Sequence, residues 1–123
     1  MAYNAYVLID KKNSLSFTDI LELLKKYTIN TVGSNKGCIN IGTYKFMLYF
    51  NEEKYVENET KELLEQHKVI SAKSSFIPSN IRVEIHGEDD PNMDYFNDFL
   101  HVISGLAKHP SLLVYEQAGE EFI

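Results

Sequence analysis

Strand-like and helix-like segments alternate along this chain of 123 residues, and their order limits the folds that it can adopt. Residues 6–9 form an apolar run that predicts a first strand, and a polar turn follows it. Apolar residues then recur at helical spacing after Ser16, and Ser16 together with Asp19 predicts a capping box at the start of that helix. The first strand is therefore expected to lead directly into a helix.

A tight turn joins the next two predicted strands. Residues 38–41 and 44–50 flank Gly42 and Thr43, and glycine at the first central position suits a type II′ hairpin. Residues 28–32 also have strand propensity, but the pattern leaves open whether they form a strand. Five side chains of the hairpin are expected to share one face of a sheet: Ile39, Ile41, Phe46, Leu48 and Phe50.

The remaining segments complete an α+β chain. Residues 51–70 predict a second helix, residues 81–85 alternate as a strand, a third helix begins near Pro91, and residues 112–115 predict a last strand. The first six elements match the ferredoxin-like β-α-β-β-α-β order, which implies an antiparallel sheet with helices on one face. We therefore predict a single α+β domain over residues 1–123, extended by the third helix and a C-terminal strand.

Charge and cysteine content argue against several classes of protein. The 18 acidic and 12 basic residues give a net charge of −6, and Arg82 is the only arginine. Binding to a nucleic-acid backbone needs a basic stripe, so we expect no nucleic-acid partner and, for the same reason, no membrane partner. Cys38 is the only cysteine, which excludes an internal disulfide and fits a reducing cytoplasm. The sequence also shows no apolar run of membrane-spanning length and no signal-peptide pattern.

The most unusual stretch of the chain is acidic. Asp90 is placed to cap the third helix, with Pro91 at the first helical position. Asp94 and Asp98 lie four residues apart, where like charges repel on a helix, and this indicates a role outside the isolated fold. Tyr95 adds an aromatic ring of the kind that anchors protein interfaces. The predicted contact with a basic partner comprises Glu88, Asp89, Asp90, Asp94, Tyr95 and Asp98.

A second acidic group lies on the predicted second helix, where lysines dilute it. We expect this group to be an ordinary solvated surface, because charge runs on helices usually are. Its members are Glu52, Glu53, Glu57, Glu59, Glu62 and Glu65.

No motif identifies an enzyme or a metal site. Asp94, Asp98 and His101 share a side of the predicted third helix and are candidates for a divalent cation, but a solvated face explains them more simply. The loop at residues 33–38 lacks the spacing of a P-loop and is expected to be a connector. Cys38 is a candidate nucleophile only if an imidazole lies beside it, and a small core residue is the simpler interpretation. The candidate imidazoles are His67, His86, His101 and His109. We therefore predict no enzymatic activity, no metal and no cofactor.

The chain resembles small bacterial immunity proteins, which neutralise toxins of contact-dependent or type VI delivery systems. Size, acidity, the α+β layout and the ending at residues 113–123 carry the resemblance; in that ending an acidic residue follows Val114 and Tyr115 and precedes a glycine turn. The resemblance implies a cytoplasmic protein that occludes the active site of a cognate toxin, and many such toxins are nucleases with basic clefts. The alternative is a small ligand-binding or regulatory domain that forms a dimer through a sheet edge. The sequence leaves open whether the chain is a monomer or a homodimer.

Overall fold

The computed structural model describes residues 3–67 and 75–123, which form three α-helices and one seven-stranded sheet. Residues 68–70 of the predicted second helix and residues 71–74 of the connector after it lie outside the described residues. The elements in chain order are β1 (Asn4–Ile9), α1 (Phe17–Leu23), β2 (Thr28–Val32), β3 (Lys36–Ile41), β4 (Tyr44–Asn51), α2 (Tyr55–Gln66), β5 (Arg82–Gly87), α3 (Phe96–Ala107), β6 (Leu112–Glu116) and β7 (Glu121–Phe122).

The strand order corrects the ferredoxin-like prediction. The sheet runs β2-β3-β4-β5-β1-β6-β7, and each neighbouring pair is antiparallel. β5 lies between β1 and β4, so β1 does not pair with β4 as the ferredoxin-like order requires. β6 was expected only to extend the core, but it pairs with the side of β1 that faces away from β5. Its apolar side chains are buried from Leu112 to Tyr115, as suits a strand inside the sheet. The mixed α+β class is confirmed, and the ferredoxin-like order is wrong.

Helices cover both faces of the sheet, which corrects the prediction that all helices lie on one face. Val7 and its cross-strand neighbours Val83 and Val114 belong to the main core together with side chains of α1 and α3. The next residue, Leu8, points to the opposite face and is also fully buried. α2 lies against that second face, where its Glu59 contacts the side chain of Arg82. A strand that is apolar at successive positions needs cover on both sides, and α2 provides the second cover.

Two local predictions are confirmed. The amide of Asp19 donates to Ser16 Oγ at 3.1 Å and the amide of Ser16 donates to the Asp19 carboxylate at 2.9 Å, which completes the capping box of α1. Ile41 pairs with Tyr44, and Gly42 has a φ of +60°, so a two-residue turn closes the hairpin. Residues 28–32, left open by the sequence, form the edge strand β2.

Candidate functional site

The acidic loop, defined as residues 88–95 between β5 and α3, is organised around Asp90. This residue is only 4% exposed. Asp90 Oδ2 accepts hydrogen bonds from the Tyr3 hydroxyl at 2.7 Å and the Tyr95 amide at 2.8 Å, and Oδ1 accepts from the Asp94 amide at 3.0 Å. Burial opposes the charged form, but the hydrogen bonds from Tyr3, Tyr95 and Asp94 lower the pKa of Asp90 below its ordinary value. Asp90 is therefore ionised at neutral pH and fixes the path of the loop.

Helix α3 begins later than the sequence predicts. The helix starts at Phe96, after Tyr95, whereas Asp90 was predicted as its N-cap. The carboxylate of Asp90 instead accepts hydrogen bonds from the amides of Asp94 and Tyr95 in a turn, and Met93 has a φ of +57°, a left-handed conformation that an α-helix does not contain. Asp98 consequently lies in the first helical turn, where the helix dipole favours a negative charge. The repulsion predicted for Asp94 and Asp98 on one helix does not apply, because Asp94 lies outside α3.

Aromatic rings hold the loop against the sheet. The ring of Tyr3 stacks on Phe99 with centroids 5.1 Å apart, which places its hydroxyl at Asp90. Tyr95 stacks on Tyr44 at 4.3 Å with an angle of 13° between the rings. Tyr95 is thus half-buried, and its position is set by the sheet before any partner arrives.

The beginning of the loop is attached to β4. The Tyr44 hydroxyl donates to the carbonyl of Glu88 at 2.6 Å, and Glu88 Oε1 accepts from the amide of Lys45 at 2.8 Å. A Cβ atom on Gly87 would lie 2.5 Å from the Tyr44 hydroxyl and 3.0 Å from a ring carbon of Tyr3. Glycine at this position therefore lets both tyrosines reach the loop.

The six predicted contact residues meet on this loop and on the first turn of α3, but they differ in exposure. Glu88, Asp89 and Asp94 are exposed, Tyr95 and Asp98 are half-buried, and Asp90 is buried. Clustered carboxylates on a fixed backbone create a negative potential that attracts a cationic surface. Asp90 contributes to this surface by positioning the others.

The tyrosines beside the loop are expected to make the fold sensitive to alkaline pH. Burial, and then the charges of Asp90, Glu88 and Asp89, raises the pKa of Tyr44 to about 12. Burial, and then the hydrogen bond to Asp90, raises the pKa of Tyr3. An unfolded tyrosine titrates near pH ~10, so the unfolded chain loses these protons first as pH rises. The free energy of unfolding should therefore be undiminished below about pH 10 and should fall between about pH 10 and 12.

Urea denaturation in small pH steps from neutral to strongly alkaline would measure this loss. Tyr3→Phe and Tyr44→Phe should each show a shallower decline than the wild-type chain above about pH 10, because each removes one titrating group. Parallel curves for the wild type and both variants would contradict the assignment.

The remaining candidates from the sequence are a metal site on α3 and the thiol of Cys38. Among residues 3–67 and 75–123, no group of three or more His, Cys, Asp or Glu side chains is placed to hold a metal ion. Cys38 faces away from the core that Ile39 enters, and its Sγ lies 3.7 Å from Asn40 Oδ1. In the sheet Cys38 pairs with Met47, and Met47 pairs with His86, so a whole strand separates the thiol from that imidazole.

The loop at residues 33–38, compared above with a P-loop, contains a hairpin turn. Gly33, with a φ of +71°, begins the turn between β2 and β3, and the carbonyl of Asn35 accepts a hydrogen bond from the Phe50 amide at 2.7 Å. The turn is thus attached to β4, as a connector within the sheet.

A polar cluster under α2 was missed from the sequence. Arg82 is 3% exposed and its guanidinium donates to Glu59 at 2.7 Å and to Glu84 at 2.9 Å. Its charge also lies 3.9 Å from the centre of the Tyr6 ring. Burial opposes the charged form of Arg82, but the hydrogen bonds to Glu59 and Glu84 raise its pKa. The alternation at residues 81–85 was the signal, because it places Arg82 and Glu84 on one face of the strand.

Further polar groups complete this cluster. The side-chain nitrogen Nδ2 of the fully buried Asn51 donates to the Glu84 carboxylate and to the Tyr55 hydroxyl, both at 2.8 Å. Burial raises the pKa of Glu84, but hydrogen bonds from Asn51 and Arg82 outweigh it and lower that pKa. His86 Nε2 lies 3.6 Å from Glu84. Because these groups are paired with one another, the cluster serves to attach α2 to the sheet.

Together the fold and the two polar regions define a mixed α+β protein with a fixed acidic loop. No protein-family model, no curated protein and no solved structure matches the chain. Within the described residues, none of the helices combines the length and the apolar character needed to cross a membrane.

Proposed function

We propose that this chain is a bacterial immunity protein that binds a cognate toxin and blocks its active site. The observation that carries the proposal is the acidic loop, which exposes a cluster of carboxylates and whose backbone is held in place by the buried Asp90 and by stacked rings. A surface that is ordered before binding loses less entropy when a partner arrives. The protein would act in the cytoplasm, where a toxin that attacks nucleic acid meets its substrate.

The chemistry of the loop favours a partner with a basic cleft. Glu88, Asp89 and Asp94 would stand where the phosphates of a nucleic-acid substrate lie, and attraction between opposite charges would speed association. Asp98, at the start of α3, extends the negative surface beyond the loop. Tyr95 offers the remaining area of its ring as an apolar contact next to these charges. Occlusion needs no catalytic group, so the proposal includes no enzymatic activity of the chain itself.

The test is a binding measurement with the toxin-like product of the adjacent gene, at low and at high salt. The double change Asp94→Asn with Asp98→Asn should lower the association rate at least ~10-fold at low salt, with a smaller effect at high salt, because salt screens the attraction. The matched control is Glu62→Gln with Glu65→Gln, which removes two exposed carboxylates from α2.

Four outcomes are informative. A loss confined to the loop variant supports the proposed surface. Equal losses in both double variants would show a general effect of net charge, and binding that neither variant changes would place the interface elsewhere; either result contradicts the role of the loop. Failure of the adjacent product to bind the wild-type chain would contradict the immunity function itself.

A further inference from the structure

The outer edge of β2 is the longest sheet edge left open among the described residues. β2 lies at one end of the sheet and spans five residues, whereas β7 at the other end spans two. β2 pairs with β3 residue for residue, from Thr28 opposite Asn40 to Val32 opposite Lys36, without a bulge. The backbone N–H and C=O groups of every second residue of β2 therefore point away from β3 and can pair with another strand.

The edge carries none of the features that keep natural sheet edges apart. Such edges usually contain a lysine, a proline or a bulge, or are very short. β2 reads Thr-Ile-Asn-Thr-Val and has neither a charge nor a proline. Its last side chain, Val32, is 70% exposed. Four of the five residues are β-branched and therefore well suited to strand pairing.

Charge also favours this edge as the place where two copies of an acidic chain can meet. Residues 23–51 contain no Asp or Glu, although the chain has 18 of them and a net charge of −6. The segment comprises all of β2, β3 and β4. Two copies that approach through β2 therefore avoid acid–acid repulsion, and β2 itself is uncharged, so the four lysines of the segment (Lys25, Lys26, Lys36 and Lys45) lie outside the paired strands.

We propose that two copies of this chain pair through β2, antiparallel about a two-fold axis at Asn30. Asn30 then lies opposite Asn30 of the second copy, and Thr28 lies opposite Val32 of the second copy. An antiparallel strand pair is complementary to itself, since donors and acceptors alternate in the same way on both strands. The two sheets become one continuous sheet across the axis.

Repulsion between the two copies of Lys36 does not oppose this arrangement. Lys36 is one strand in from the edge, in the row of Val32. In the proposed register the two copies of Lys36 are three strand spacings apart and offset by four residues, which is roughly 20 Å. That separation exceeds the screening length of about 8–10 Å at moderate salt.

The dimer is expected to be weak. Pairing of two five-residue strands buries less surface than the ~1,200–2,000 Å² of a standard interface. We therefore expect a dissociation constant in the micromolar range. The acidic loop contacts β4 and the Tyr3 side chain, away from β2, and stays free in the dimer. Self-association is thus independent of toxin binding.

Sedimentation equilibrium over a wide range of protein concentration tests the proposal by exchanging charges at the axis. The wild-type chain should gain mass with concentration. Asn30→Lys and Asn30→Asp should each remain monomeric, because each places like charges directly opposite one another. An equimolar mixture of the two variants should associate again, at least as tightly as the wild type, since opposite charges then meet. The control pair Asn58→Lys and Asn58→Asp changes an exposed residue of α2 and should dimerise like the wild type.

Circular dichroism of each variant would confirm that the monomer remains folded. A wild-type chain that stays monomeric at every concentration overturns the proposal. Undiminished association of both Asn30 variants overturns it as well, because the interface would then lie elsewhere. A mixture that stays monomeric overturns the two-fold register at Asn30.

Discussion

Arg82→Met is expected to lower the free energy of unfolding by about 3 kcal/mol, the lower end of the range for breaking a buried ion pair from one side. Methionine keeps most of the apolar stem, so the loss comes from the missing charge. Glu84, whose side chain is 14% exposed, and Glu59 would then both lack the cation that pairs with them. Urea denaturation at neutral pH is the appropriate measurement, because the midpoint and slope together separate stability from compactness.

Two comparisons make the Arg82 result specific. Lys61→Met removes the exposed Lys61–Glu57 pair and should cost no more than about 0.5 kcal/mol. Adding Glu59→Gln and Glu84→Gln to Arg82→Met should recover much of the loss, since the uncompensated charges disappear. A cost for Arg82→Met as small as that for Lys61→Met would show that the cluster does not stabilise the fold.

Acid should reduce the difference in free energy of unfolding between the wild type and Arg82→Met. In the wild type the pKa of Glu84 is lowered, so its contribution is present above about pH 4.5 and is lost as pH falls through the folded pKa. In the variant the carboxylate of Glu84 lacks its cation, and protonation of this carboxylate removes the cost of an unpaired buried charge. The free energies of unfolding of the two proteins should therefore converge as pH falls below about 4.5.

Asp90→Ala is expected to lower the melting temperature by about 5–10 °C, because three hydrogen bonds to one carboxylate disappear together. The Tyr3 hydroxyl would lose its acceptor inside the protein, which is costly for a buried polar group. The amides of Asp94 and Tyr95 should also exchange with solvent faster, because the turn that protects them is no longer held. Thermal melting and amide hydrogen exchange would measure both effects.

Asp94→Asn is the matched control for Asp90→Ala. Its side chain is exposed on the same loop, and the change keeps the shape of the residue while removing the charge. We expect its melting temperature to stay within about 2 °C of the wild type, as for most surface substitutions. If the proposed function is correct, Asp90→Ala weakens toxin binding through disorder of the loop, whereas Asp94→Asn weakens it without any loss of stability. Equal melting temperatures for both variants would contradict the positioning role of Asp90.

Local structure was predicted correctly at two places where neighbouring residues decide it. The capping box at Ser16 and Asp19 and the turn at Gly42 depend on contacts within a few residues, and both are confirmed. The sheet order depends on partners far apart in the chain, and it was wrong. One signal was available: residues 6–9 and 112–115 are apolar without alternation, which indicates strands buried on both faces and hence helices on both faces.

The acidic loop was predictable in composition but not in geometry. The sequence locates its carboxylates, yet only the fold shows that Asp90 binds the hydroxyl of Tyr3, which is 87 residues away in the chain. Such a contact leaves no local pattern, and Asp90 followed by Pro91 reads as the start of a helix. Arg82 was noted as the only arginine, but its partner Glu59 lies on α2, and the face against which α2 packs was not predicted.

The interior position of β1 in the sheet has a consequence for synthesis of the chain. Val7 pairs with Val83 on one side and with Val114 on the other, so the first strand to be made waits for the last long one. At translation rates of ~5–20 residues per second, β1 stays without its second neighbour for roughly 5–20 s. The hairpins of β2, β3 and β4 can form during that interval, since their contacts are local. An apolar strand that waits this long is exposed to aggregation, so slower synthesis or a shortage of chaperones should reduce the yield of folded protein before any mature contact is weakened.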